Sequence, residues 1–210
     1  MKERPILFSA PMVLAILEGR KTQTRRLVKP RHFAGHLVGE LNSSIEKAPG
    51  LAAAFCPYGQ PFDLLWVRET WQAATGSRRD ARILTCPRPD TGWVEYAATC
   101  DDPPPRWRPS IHMPRWASRL LLEITGVRVE RLNDIGVSDA IAEGYDGSNP
   151  SPVDPSIKWY ADLWESINGA GSWTQNPWVW VVEFRRVLSD VARKTEASPT
   201  DSPQLSGFCL

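Results

Sequence analysis

The chain has 210 residues, of which 42% are hydrophobic and ten are tryptophan, enough to build one sizeable core. Its formal net charge of +1 excludes a protein that coats polyanions over its whole surface, so any contact with nucleic acid requires a local cluster of cations. No apolar run approaches the roughly 20 residues that span a bilayer, and the N-terminus lacks the long apolar segment of a secretory signal.

The cysteines indicate a reducing compartment. They show no CxxC pair and no regular framework, so we expect reduced thiols and a cytoplasmic protein; they are Cys56, Cys86, Cys100 and Cys209. His32, His36 and Cys56 do not have the usual spacing of a zinc site. We therefore expect no metal, and nothing in the sequence implies an organic cofactor.

The first 28 residues predict a strand, a helix and a second extended segment. Residues 5–9 are typical of a short buried strand, and residues 10–17 of a helix that has a proline in its first turn and ends at Gly19. Residues 22–28 then continue in an extended form. If the turn between them stays near-helical, Lys21 and Thr24 lie on one face, where an amine beside a hydroxyl can act as base and nucleophile. Alternatively, the cations here only complement the helix dipole.

The middle of the chain combines strands with long irregular connections. Residues 30–60 are interpreted as a loop or insertion with a short helix at 44–54, and residues 64–71 as one strand. In that strand Arg68 faces one side and Glu69 the otherwise apolar side. A carboxylate on such a face is either a site residue or half of a buried ion pair. Residues 76–90 are loop-like, and 93–98 form a short strand.

Residues 107–116 interleave aromatic and cationic side chains, including Trp107, His112, Arg115 and Trp116. Surfaces of this kind bind nucleobases by stacking while guanidinium groups hold phosphates. The alternative is a loop attached to the domain by its two tryptophans, with the arginines in solvent.

The last third predicts a strand over 120–132 that bends at Gly126, and a helix over 138–144 capped by Ser138. It also predicts an amphipathic helix over 155–168, a buried strand over 177–187 and a flexible tail over 189–210. Strands separated by helices favour an α+β class, mainly β: a small mixed β-barrel decorated by two or three helices. We expect one domain over 1–188, with insertions at about 30–60 and 76–115.

Several motifs, in this order, resemble the ASCH domain family. They are Gly19-x-Lys21-x-x-Thr24-x-Arg26, Trp66-Val67-Arg68-Glu69, Leu132-Asn133-Asp134-Ile135 with Asp139-Ala140-x-x-Glu143-Gly144, and Trp178-Val179-Trp180-Val181-Val182-Glu183-Phe184. The resemblance covers residues 5 to 187 and implies a PUA-like barrel. The two long insertions look like those of the variant that bacteriophages and prophages carry.

The resemblance implies two kinds of function. Some ASCH proteins remove the acetyl group of N4-acetylcytidine with a lysine, a threonine and a glutamate, which match Lys21, Thr24 and Glu143 here. In that scheme Thr24 or a water attacks the acyl carbon, Lys21 is the base and Glu143 moves a proton to the leaving amine. ASCH domains also resemble RNA-binding PUA modules, which implies a module that binds RNA or single-stranded nucleic acid without chemistry; a ribonuclease is a related possibility.

Substrate binding is assigned to cationic and aromatic side chains and to one carboxylate, Glu69. Arg26 suits a phosphate or a base edge, or else pairs with Glu69 or Glu183. The other candidates are Arg68, Glu69, Trp107, His112, Arg115 and Trp116. The expected partners are therefore a modified nucleoside or nucleotide, or RNA, and no membrane.

Overall fold

The structure is a computed structural model that describes residues 1–29, 45–75, 82–83, 92–101, 106–147 and 155–187. The tail predicted over 189–210 lies outside the described residues, as do His32 and His36. So do parts of the two predicted insertions, namely 30–44, 76–81, 84–91 and 102–105.

Eight strands and four helices make up the described part, which confirms the α+β class with strands in the majority. The helices are α1 (Ala10–Leu17), α2 (Pro49–Ala53), α3 (Val137–Ala142) and α4 (Pro155–Asn168). The strands are β1 (Glu3–Leu7), β2 (Gln23–Leu27), β3 (Leu64–Arg68), β4 (Trp71–Thr75), β5 (Arg82–Ile83), β6 (Gly92–Tyr96), β7 (Leu121–Arg131) and β8 (Trp178–Arg186). Of the described helices, none is both long and apolar enough to cross a membrane.

Five strands form the main sheet in the order β1-β3-β7-β8-β2. Strand β1 runs parallel to β3, whereas the other pairs are antiparallel, so the predicted mixed sheet is confirmed. The two edge strands of this sheet, β1 and β2, lie within reach of one side chain: the Arg26 guanidinium on β2 donates to the Leu7 carbonyl oxygen on β1 at 2.5 Å. A side chain, rather than a strand ladder, thus links the two edges.

The predicted strand over residues 64–71 is wrong in one respect. It divides into β3 in the main sheet and β4 in a three-stranded sheet of order β5-β4-β6. The division follows from burial: Leu65 and Val67 enter the main core, whereas Trp71 packs with Met113 and Ala117 in a separate cluster. The alternating pattern continues across the break, so it did not mark where the chain changes sheets.

Strand β7 bends where the sequence predicts. The ladder with β8 shifts register between Ile124 and Gly126. A Cβ atom added at Gly126 would lie 2.7 Å from Oε2 of Glu183, so the missing side chain allows the close approach of β8.

Strand β8 is buried on both faces, as its apolar run predicts. Trp180 and Val182 belong to the main core, while Val179 and Val181 pack with Tyr160 and the rest of α4. Helix α4 therefore covers the outer face of the sheet, next to the edge strand β2.

The cap predicted for α3 is wrong. The helix begins at Val137, one residue before Ser138, and the Asp139 carboxylate accepts a hydrogen bond from the backbone N–H of Gly136 at 3.3 Å. Gly144 has φ +110° just after the helix, which confirms its predicted role as terminator.

Candidate active site

The turn after α1 places Lys21 against the end of α3. Gly19 takes φ +77°, as predicted, and the Lys21 N–H then returns to the Ala15 carbonyl at 3.0 Å. The next residue, Thr22, donates its N–H to the Ala142 carbonyl at 2.9 Å. Backbone hydrogen bonds therefore bring residue 21 next to residue 143, although the two are distant in sequence.

Lys21 and Glu143 form a buried ion pair. Lys21 Nζ donates to Oε2 of Glu143 at 2.6 Å and to the Glu143 backbone carbonyl at 2.9 Å. Their side chains are 0% and 3% exposed. Since Thr24 lies in β2 rather than in a near-helical turn, the condition for a shared helical face with Lys21 is not met.

Burial lowers the pKa of Lys21. Removing the ammonium from water is the largest cause, and Arg26 and Arg25 add like-charge repulsion, whereas Glu143 opposes the shift. A lysine with a lowered pKa is neutral in a larger share of molecules near neutral pH, which a general base requires. The adjacent Arg20 donates to Glu18 and to the Gly144 carbonyl, and it is not among the causes of this pKa shift.

Arg25 holds the other oxygen of Glu143. Its guanidinium lies 3.4 Å from Oε1 of Glu143, 2.5 Å from Glu130 and 3.1 Å from Asp139. The side chain is fully buried and its Cζ lies 5.8 Å from the ring centroid of Tyr160. Glu143 is thus fixed from both sides, one oxygen on Lys21 and the other on Arg25.

Thr24 borders a cavity of about 60 Å³ at the edge of β2, which we call the Thr24 cavity. Arg25, Arg26, Glu143 and Tyr160 are among the other residues of its wall. Within the described residues the Thr24 hydroxyl has no hydrogen-bond partner. Its oxygen is also not one of the unpaired side-chain atoms that are completely closed off from solvent. The hydroxyl is therefore available to a molecule in the cavity.

Arg26 links the cavity to the neighbouring strand edge. Besides its bond to the Leu7 carbonyl, its Cζ lies 5.3 Å from the ring centroid of Phe8. The two carboxylates considered as its partners bind other arginines: Glu69 pairs with Arg119, and Glu183 with Arg128. Of the alternatives for Arg26, the ion pair is therefore wrong.

Glu69 is half of a buried ion pair, one of the two readings of its position. Both its oxygens accept hydrogen bonds from Arg119 at 2.9 Å. The Arg119 guanidinium in turn lies over the ring of Tyr96, 4.0 Å from its centroid. Burial, despite the nearby Arg119 charge, raises the pKa of Tyr96 to about 12.

Residues 107–116 lie along β1 and β3 and on the small sheet, outside the wall of the Thr24 cavity. Trp116 packs edge-on against Trp71, with ring centroids 5.8 Å apart, and Arg115 pairs with Glu3 at 2.8 Å. Arg68 Nε donates to the Ser110 carbonyl at 3.1 Å. His112 is exposed in a 3₁₀ turn, and Trp107 is half-buried.

Among the candidate residues, four lie together: Lys21, Thr24, Arg26 and Glu143. Sequence reasoning did not identify Arg25, Glu130 or Tyr160 as site residues, and Asp139 entered only as part of a motif, without a role. Their positions depend on contacts between β2, β7, α3 and α4 that no local pattern encodes. The one sequence feature that could have indicated Arg25 is its place inside the motif, directly after Thr24.

Comparison with solved structures finds one of similar fold. The structure resembles the crystal structure of an ASCH domain from Lactobacillus crispatus, with a TM-score of 0.43 and 12% sequence identity, over 88% of this chain and 79% of that one. ASCH is also the family that the sequence motifs resemble. No family model and no curated protein matches the sequence.

Proposed function

We propose that the chain is an amidohydrolase that removes the acyl group from an N-acylated nucleoside or nucleotide such as N4-acetylcytidine. The observation that carries this proposal is a buried lysine 2.6 Å from a buried carboxylate, together with a threonine that borders the same cavity as that carboxylate. The proposal includes a single domain over residues 1–188 that works in the cytoplasm.

The first half of the reaction forms an ester on Thr24. Neutral Lys21 accepts the hydroxyl proton as Oγ1 of Thr24 bonds to the acyl carbon, and the carbonyl electrons move to oxygen. The nearby guanidinium of Arg26 supplies positive charge for that oxyanion. As the C–N bond breaks, the proton passes from Lys21 through the 2.6 Å hydrogen bond to Glu143 and on to the leaving amine.

The second half restores the enzyme. A water molecule gives one proton to the neutral Lys21 and its hydroxyl adds to the ester carbon. The bond from that carbon to Oγ1 of Thr24 then breaks, Lys21 returns the proton to Oγ1, and the carboxylic acid is released. In the direct variant, the same water attacks the amide at once, with Lys21 and Glu143 in the same roles. Both variants need a neutral Lys21, whose pKa burial lowers.

The test is to incubate the purified protein with a panel of N-acylated nucleosides and follow the masses of the products. Lys21→Arg keeps the charge but cannot act as a base near neutral pH, so it should give no product. Lys158→Arg is the matched control, because Lys158 is exposed and, among the residues that the structure describes, its ion pair is with Asp162 on α4. The absence of product with the unaltered protein on every nucleoside would refute the proposal.

A second candidate, a binding module for RNA or single-stranded nucleic acid, is supported by three arginines that follow β1. Arg26 binds the Leu7 carbonyl, Arg68 lies opposite Leu7 in the ladder, and Arg115 binds Glu3 at the other end of the strand. A row of cations can track a phosphate backbone. Binding that weakens steeply with salt, without any product, would favour this candidate; cleaved RNA would indicate a ribonuclease.

A further inference from the structure

We infer that a second cavity beside Glu143 binds the sugar of the nucleoside whose acylated base occupies the Thr24 cavity. This inference rests on the proposed function, and it adds where the rest of the substrate lies. The second cavity, here called the Trp159 cavity, has a volume of about 220 Å³ and lies between the start of α1, the turn after α3 and α4.

The two cavities are neighbours that share walls. Met12, Glu143 and Leu163 border both. The Thr24 cavity, at about 60 Å³, is far below the roughly 300 Å³ at which pockets for whole small molecules begin. A nucleoside whose acyl group reaches Thr24 must therefore extend past Glu143, and the Trp159 cavity is the space on that side.

The lining of the Trp159 cavity suits a sugar. It offers an indole (Trp159), a carboxylate (Asp146) and a hydroxyl (Ser9). An aromatic face packs on the C–H side of a sugar ring, while a carboxylate accepts hydrogen bonds from its hydroxyl groups. Ser9 stands at the N-cap of α1 but makes no side-chain cap bond, so capping does not occupy its hydroxyl.

The turn after α3 carries both Glu143, which takes part in the proposed reaction, and Asp146, which lines the proposed sugar site. Glu143 borders both cavities, whereas Asp146, three residues later, borders only the Trp159 cavity. Between them, Gly144 takes φ +110°, and its carbonyl accepts a hydrogen bond from Arg20 at 2.5 Å. The same short turn therefore carries a proton shuttle for the base and an acceptor for the sugar.

The test compares N4-acetylcytidine with the free base N4-acetylcytosine in the unaltered protein and in Asp146→Asn. Loss of a hydrogen bond to a charged group should raise the KM of the nucleoside about tenfold, with a clearly smaller change for the free base. Asp162→Asn, another exposed carboxylate, is the matched control and should match the unaltered protein. Equal changes for nucleoside and free base would overturn the inference.

Calorimetric titration with cytidine, the deacylated product, separates this inference from the proposed hydrolysis. Cytidine should bind, and Asp146→Asn should weaken the binding about tenfold. That result supports the sugar site even if no acylated substrate is hydrolysed. Failure of cytidine to bind, or equal affinity in both proteins, would overturn it even if hydrolysis occurs.

Discussion

Lys21 is the residue on which the chemistry depends, and its surroundings explain why the sequence predicts it only in part. The GxKxxTxR pattern marks Lys21, Thr24 and Arg26, but the pattern cannot show that Lys21 is fully buried or that Glu143 meets it at 2.6 Å. The burial of Lys21 and its contact with Glu143 depend on the backbone hydrogen bond from Thr22 to Ala142, which forms only when α3 docks on β2.

Thr24 is expected to be the nucleophile. Thr24→Val keeps the shape of the side chain but removes the hydroxyl, so kcat for N4-acetylcytidine should fall by roughly 10²-fold or more with little change in KM. Thr24→Ser restores a hydroxyl and should recover much of the rate. An unchanged kcat in the valine variant would show that water attacks directly.

Arg25 is expected to be a positioning residue that acts through Glu143. Arg25→Lys keeps the charge but cannot reach three carboxylates with one planar fork, so Glu143 loses its second anchor. We expect kcat to fall about tenfold while KM stays nearly constant. Arg185→Lys, at an exposed pair with Glu123, is the control. A rise in KM with kcat unchanged would contradict this role.

At the scale of elements, the patterns predicted most of the helices and strands but not the point where the chain changes sheets. The bounds predicted for α1 and α4 are confirmed, because periodicity and local stop signals determine them. The break after Arg68 depends instead on Trp71 packing against Met113 and Ala117. These partners lie some forty residues away in the sequence, so the local alternation of apolar and polar residues does not reveal them.

The turn after α3 should be sensitive to a single methyl group. A Cβ at Gly144 would lie 3.1 Å from Cβ of Ala15 and 3.4 Å from Cβ of Lys21, besides the cost of φ +110°. Gly144→Ala should lower the free energy of unfolding in urea by about 1–3 kcal/mol.

Gly147→Ala separates the two causes. Gly147 also has a left-handed φ of +79°, but its added Cβ would meet nothing within 4 Å. The loss of stability should be smaller, about 1 kcal/mol. Equal losses in the two variants would mean that the contact with α1 and Lys21 is unimportant.

At the scale of the whole molecule, a network of charges joins β2, β7, β8 and α3 around the site. Its cations are Lys21, Arg25 and Arg128, and its carboxylates are Glu130, Asp139, Glu143 and Glu183. Composition predicts only the near-neutral total of +1. How opposite charges from distant segments meet is a property of the fold.

Through Asp139, this network should make the free energy of unfolding depend on pH. Burial alone would raise the pKa of Asp139, but the Gly136 N–H, Arg25, Gln23 and Arg128 outweigh it and lower that pKa below 3.8. The charge of Asp139 therefore stabilises the folded state above pH 3.8, and this stabilisation is lost as the pH falls through the lower folded pKa.

Urea unfolding of the unaltered protein and of Asp139→Asn across this pH range checks the effect. The variant should be less stable near neutral pH, and the difference should shrink as the solution is acidified. A difference that stays constant down to about pH 2 would contradict the lowered pKa.

The central claim is that the buried Lys21 acts as a base in amide hydrolysis. The most direct measurement is the rate of acetate release from N4-acetylcytidine between about pH 6 and pH 10, for the unaltered protein and for Lys21→Arg. The rate of the unaltered protein should rise with pH and level off below the ordinary lysine pKa of 10.5, because burial lowers the pKa of Lys21. Lys21→Arg should stay at the spontaneous rate throughout. Equal rates in the two proteins, or no release above background at any pH, would contradict the claim.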